Sequence, residues 1–132
     1  TGGLVAGALT QIAGSSAVID RGFITYSNAA KSGMLGIDPA LIETHGAVSE
    51  AVARAMAEGA IRHSDALVTV SITGIAGPGG GSPDKPVGLV HFAAAGPAGT
   101  VHVERRFGDI GRDAVRLASV RQALDLLLDR LA

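Results

Sequence analysis

The run Leu67-Val68-Thr69-Val70-Ser71-Ile72 carries no charge and is rich in β-branched residues, the pattern of a strand covered on both faces. Such a strand needs one helical layer above it and another below, which points to a layered α/β domain. A second strand is predicted from about Val87 to Ala95 and a third from about Val101 to Phe107, joined by the turn Gly96-Pro97-Ala98-Gly99. A turn that short makes the pair an antiparallel hairpin, and the sheet as a whole is expected to be mixed.

Helical patterns flank these strands. Leu4, Val5, Ala8, Leu9 and Ile12 recur at helical spacing before a stop at Gly14. Residues from about Val18 to Tyr26 read as extended, interrupted at Asp20-Arg21-Gly22, and Asn28 then serves as the N-cap of a helix that stops at Gly36. Asp38-Pro39 opens a short helix through about Thr44. Ser49 caps an amphipathic helix with Val52, Ala53, Met56, Ala60 and Ile61 as its inner stripe. The last helix begins near Arg112, with Leu117, Val120, Leu124, Leu127, Leu128 and Leu131 expected to face inward and Arg121, Asp125 and Asp129 outward. The expected fold is therefore a three-layer α/β/α sandwich with a mixed sheet, one domain over residues 1–132. Because Thr1-Gly2-Gly3 runs straight into a helical pattern, an N-terminal strand is expected to be missing from this sequence.

Composition narrows the function. The chain is 47% hydrophobic with 3% aromatic residues, so its core should be aliphatic. A net charge of −1 with no basic run gives no electrostatic basis for binding nucleic acid or an anionic membrane, and there is little aromatic surface for base stacking. Cysteine is absent, which removes disulfides, thiolate catalysis and cysteine-based zinc sites. The four histidines lack the spacing of a metal site, and no metal is expected. No apolar run of membrane length occurs; the sequence suits an intracellular, cytoplasmic protein.

Candidate chemistry gathers at Gly22-Phe23-Ile24-Thr25-Tyr26-Ser27-Asn28-Ala29-Ala30-Lys31, where an apolar strand turns directly into a helix. A phenol and an amine are held near one strand end, where open α/β sheets keep their chemistry. With Asn28 as cap, Lys31 stands at the third helical position, where the positive helix end favours its neutral form. A neutral amine can act as a general base; the plainer reading is a surface lysine beside a half-buried tyrosine. Gly14-Ser15-Ser16 is either a turn or a pair of hydroxyls at the mouth of a site. His45, beside Gly46, reads as a turn or capping residue.

The loop from Gly74 to Gly81 is glycine-rich enough to let a ligand reach backbone N–H groups, as an anion-binding nest does. It lacks the Gly-Lys-Ser/Thr of a P-loop and leads into a strand, so neither a P-loop nor a dinucleotide fingerprint applies. A flexible connector is the plain alternative. Lys85 could anchor the loop's far end or meet a phosphate. Arg112 is either a forked donor to a phosphate or carboxylate, or the partner of Asp109 or Asp113.

Taken together, Thr1-Gly2-Gly3, Gly14-Ser15-Ser16, Gly22 to Asn28 with Lys31, His45-Gly46-Ala47-Val48-Ser49, Thr73-Gly74-Ile75-Ala76-Gly77-Pro78 and Lys85-Pro86-Val87-Gly88 closely resemble the CinA C-terminal domain family, in its order and spacing. Enzymatic members of that family are nicotinamide-nucleotide amidases, which hydrolyse the carboxamide of nicotinamide mononucleotide to nicotinate mononucleotide and ammonia, a step in pyridine nucleotide recycling. The same domain is also fused behind a molybdopterin-binding-like domain in competence/damage-inducible CinA proteins. The resemblance implies that Lys31 is the general base, Tyr26 its partner and Ser16 a further site hydroxyl. It implies substrate contacts at Thr73 and Arg112, oxyanion-stabilising amides at Gly2 and Gly3, and phosphate binding by the glycine loop at Gly77 and Gly79. It also implies a homodimer and a reaction that needs no cofactor. The family's nucleophilic serine belongs to a Glu-Ser-Cys-Thr-Gly-Gly segment, of which this chain begins at the Thr. A catalytically silent nucleotide-binding or interaction domain is the competing reading. A Ser-Tyr-Lys oxidoreductase is disfavoured, because Tyr26 and Lys31 are one residue too far apart and straddle a strand–helix boundary.

Overall fold

The computed structural model describes residues 1–132. Its elements are α1 (Leu4–Thr10), a 3-10 turn (Ser15–Ala17), α2 (Asn28–Leu35), α3 (Pro39–His45), α4 (Glu50–Arg62), β1 (Thr69–Gly74), β2 (Leu89–Gly96), β3 (Gly99–Arg106) and α5 (Arg112–Leu131). The strands form a three-stranded sheet in the order β1-β2-β3, with helices on both faces. The fold is the expected three-layer α/β/α arrangement.

Side-chain alternation along β2 explains the layers. Val90, Phe92 and Ala94 pack with Val115, Ala123 and Leu126 of α5, while Ala93 and Ala95 turn the other way against Ala53 and Ala57 of α4. Full burial of each large side chain in the first cluster contributes about 1.5–3 kcal/mol. The alanine seam on the α4 side has another consequence: the helix lies close enough for β1 hydroxyls to reach its backbone. Thr69 Oγ1 donates to the Ala57 carbonyl (2.7 Å) and Ser71 Oγ to that of Ala53 (2.6 Å). The small polar residues of β1 are thus spent on docking α4. Its other face is covered by α2 and α3 through Leu35, Ile37, Ile42, Val52 and Met56.

Three expectations need correction. Both strand pairings are antiparallel, so the sheet among these residues is not mixed. The segment predicted as extended from Val18 to Tyr26 forms no strand, because side chains instead of a backbone ladder hold it: Arg21 donates to the His63 carbonyl (3.1 Å), and the Asp65 amide to Asp20 (3.0 Å). In α5 the buried stripe is Val115, Ser119, Val120, Ala123 and Leu126, whereas Leu117, Leu128 and Leu131 are exposed. The sheet takes the stripe with small residues, since Ser119 and Ala123 allow closer approach than a row of leucines.

Candidate active site

Helix α2 begins one residue earlier than expected. Ser27, in extended conformation, is the N-cap, and its Oγ accepts from the Ala30 amide (3.0 Å). Lys31 is therefore the fourth helical residue and not the third. It is also not at the surface: only 7% of it is exposed. Its Nζ donates to the Thr25 carbonyl at 3.0 Å, and no carboxylate pairs with it. Burial pushes the ammonium's pKa below the ordinary lysine range. The direction matches the expectation, but desolvation, not the helix end, is the cause.

Tyr26 directly follows the carbonyl that holds Lys31, and its ring is largely exposed. Its hydroxyl accepts from Arg112 Nη2 at 2.9 Å, while Arg112 Nη1 donates to the Gly77 carbonyl at 2.9 Å. The expected alternative, an ion pair with Asp109 or Asp113, does not form. One guanidinium thus joins the segment before α2, the glycine loop and the start of α5. Gly77 can turn its carbonyl there because it has a φ of +84°, and a Cβ would lie 2.6 Å from Val87 Cγ1.

One helical turn further on, Arg116 Nη2 donates to the Thr1 carbonyl at 3.2 Å. This brings the Thr1-Gly2-Gly3 turn to the same end of α5. Gly2 and Gly3 both have positive φ, and Gly3 abuts the Ile24 side chain. Their amides donate to no acceptor within the chain. A cavity of about 40 Å³, room for one water, lies among Thr1, Gly74, Ala76, Arg116 and Ser119. Arg116 escaped the sequence reading, although its i, i+4 relation to Arg112 was the available signal.

Other candidates sit differently. Thr73 is buried, and its Oγ1 donates to the Ala47 carbonyl at 2.8 Å, continuing the hydroxyl series of β1. Lys85 Nζ donates to the His45 carbonyl at 2.7 Å, and Ser49 Oγ to that of Gly46 at 2.8 Å. Three successive carbonyls of the His45-Gly46-Ala47 stretch thereby tie β1, α4 and the far end of the glycine loop together. His45 is the last residue of α3 and Gly46 its C-cap, so His45 is neither the turn nor the capping residue expected and takes part only through its carbonyl. The loop is no free connector: the Ile75 amide donates to Leu89 and the Gly88 amide to Ile75. Gly79 lies exposed in an open groove of about 650 Å³ between the loop and Arg106, Gly108 and Asp109. Ser16 is exposed in the 3-10 turn, and no hydrogen bond links it to Lys31 or Tyr26.

Residues 1–131 match the family model of the CinA C-terminal domain. The chain belongs to the CinA C-terminal domain family. It is 58% identical over 128 residues to a CinA-like protein of Anaeromyxobacter dehalogenans, covering 96% of this chain and 31% of that protein. The chain therefore spans about a third of the CinA-like relatives' length. It is 51% identical to the nicotinamide-nucleotide amidohydrolase PncC of Enterobacter agglomerans, with 97% of this chain and 78% of that protein aligned. Among solved structures, the competence/damage inducible protein CihA of Agrobacterium tumefaciens superposes with a TM-score of 0.95 at 58% identity, over 97% of this chain and 78% of that one. A CinA superfamily protein of Escherichia coli gives 0.91 at 36% identity, over 96% and 73%.

Proposed function

We propose that this chain carries the amidase site of a nicotinamide-nucleotide amidohydrolase, acting on nicotinamide mononucleotide to give nicotinate mononucleotide and ammonia in pyridine nucleotide recycling. The observation that carries the reading is Lys31: a buried amine with no acidic partner, held one residue from a phenol. One hydrogen bond to the Thr25 carbonyl is little return for burying an amine without an acidic partner, whereas a general base needs that environment. The PncC relative supplies the substrate class.

In the proposed reaction, a serine preceding Thr1 attacks the carboxamide carbon, and its proton passes to neutral Lys31 directly or through Tyr26. The amides of Gly2 and Gly3, which have no acceptor of their own, stabilise the oxyanion. Collapse breaks the C–N bond, with Lys31 returning the proton to the departing ammonia. Water then attacks the acyl-enzyme as Lys31 takes its proton; the ester C–O bond breaks to release nicotinate mononucleotide, and Lys31 returns the proton to the serine oxygen. Arg112 holds Tyr26 and the glycine loop in register, and the groove beside Gly79 receives the nucleotide phosphate. Thr73 and Ser16 support the site from its borders. The active unit is a homodimer.

A second reading, a catalytically silent domain, has one observation in its favour: relatives as similar as those of Anaeromyxobacter and Chlorobaculum are named only CinA-like, with no activity. In that reading, the domain binds the nucleotide without turning it over. Ammonia release from nicotinamide mononucleotide, measured on residues 1–132 and on a form extended upstream through the family's Ser-Cys segment, separates the two. Activity only in the extended form supports the amidase. Activity in neither, with binding retained, supports the silent domain.

A further inference from the structure

Register places Glu104 opposite His91 and His102 opposite Ala93, so all three side chains lie on the α4 side of the sheet. His91 Nδ1 and His102 Nε2 are 2.9 Å apart, with ring centroids at 5.1 Å. The outer nitrogens face carboxylates: His91 Nε2 is 3.8 Å from Glu104 Oε1, and His102 Nδ1 is 3.6 Å from Glu50 Oε1. Both imidazoles are largely buried, and both carboxylates are about half exposed. The other charged neighbours are Arg54 of α4, which grips Glu50 at 2.8 Å, Arg106 of β3, which grips Glu104 at 3.3 Å, and Lys85 from the loop before β2. From β1 the residue opposite His91 is the uncharged Thr73.

Counting protons decides what this arrangement wants. The inner contact needs one N–H and one lone pair. If both rings are neutral, one outer nitrogen is left bare and turns its lone pair toward a carboxylate. One added proton removes that conflict, since both outer nitrogens then carry N–H groups and the inner hydrogen bond survives. A second added proton sets two N–H groups against each other across the inner gap, and the contact must open. We propose that His91 and His102 form a buried proton-binding site that holds one shared proton between Glu104 and Glu50 and locks strand β3 to β2 and α4.

Burial, ahead of the neighbouring His102, pushes the His91 pKa below the ordinary histidine range, while Glu104 acts in the opposite direction. The sign follows: a proton that the folded state refuses and the unfolded state accepts costs stability as pH falls. The strand affected is the sheet edge, since β3 pairs only with β2. The inference is independent of what the site beside Tyr26 catalyses.

Imidazole nitrogen NMR with amide exchange on the 132-residue chain tests it. The expected result is a single proton taken up first, with both rings' signals moving together. A second uptake at lower pH should then accompany about tenfold faster exchange of β3 amides, the scale of losing one charge-assisted hydrogen bond. Two rings that titrate separately, with β3 exchange unmoved throughout, would overturn the proposal. The double variant Glu50→Gln with Glu104→Gln, at exposed carboxylates, should move the first uptake to lower pH. An unchanged first uptake in that variant would overturn it equally.

Discussion

Arg112 donates to the Tyr26 hydroxyl and to the Gly77 carbonyl at the same distance, 2.9 Å, and so fixes a phenol and a glycine loop with one planar group. A single ammonium cannot reproduce that fork. Arg112→Lys should therefore lower kcat/KM by about 10–100-fold, with both kcat and KM affected, since Tyr26 and the loop lose register together. Steady-state kinetics on the serine-containing form checks this. A change in KM alone would make Arg112 a simple substrate clamp.

Thr73 separates a structural role from a substrate role. Thr73→Val keeps the shape but leaves the Ala47 carbonyl without its donor, which should cost about 1–2 kcal/mol in denaturant unfolding. If the hydroxyl serves only to dock the loop before α4, KM stays near the wild-type value. A tenfold rise in KM with unchanged stability would assign it to the substrate instead.

Lys31 should weaken the fold it serves. Its pKa is lowered in the folded state, so the unfolded chain binds more protons between the lowered value and the ordinary one. Stability contributed at this position is consequently lowest below that window and rises as pH climbs through it. Lys31→Met, which removes the buried ammonium and keeps the volume, should raise Tm by about 2–5 °C on the acid side of that window. Calorimetry at neutral and alkaline pH should show the gap between variant and wild type closing as pH rises.

Much of the fold was legible because local signals agreed with the tertiary structure. Gly36 ended α2 where expected, Ser49 capped α4, Asp38-Pro39 opened α3, and the short Gly96–Gly99 turn forced a hairpin, whereas α1 stopped at Thr10, short of the expected Gly14, which instead caps the 3-10 turn. Failures came where a local pattern had two solutions. The leucines of α5 repeat at helical spacing, yet the sheet chose the neighbouring stripe built on Ser119 and Ala123. The apolar run at Gly22–Tyr26 looks like a strand, but the chain there is tied down just before the run, by the side chains of Asp20 and Arg21 on backbone groups of Asp65 and His63. At the candidate site, the sequence singled out Tyr26, Lys31 and Arg112, and the fold brings Tyr26 and Arg112 into contact. Sequence alone could not give the burial of Lys31, the join through Gly77 or the His91–His102 contact, each of which depends on chain segments far apart in sequence.

The most direct test of Lys31 as general base is ammonia release from nicotinamide mononucleotide by the serine-containing form and its Lys31→Met variant, followed across pH. Wild-type kcat/KM should rise with pH through a limb lying below the ordinary lysine range, and the variant should lose at least about a thousandfold in kcat with its fold intact. Turnover near the wild-type rate in the folded variant, with the same pH limb, would contradict that role for Lys31.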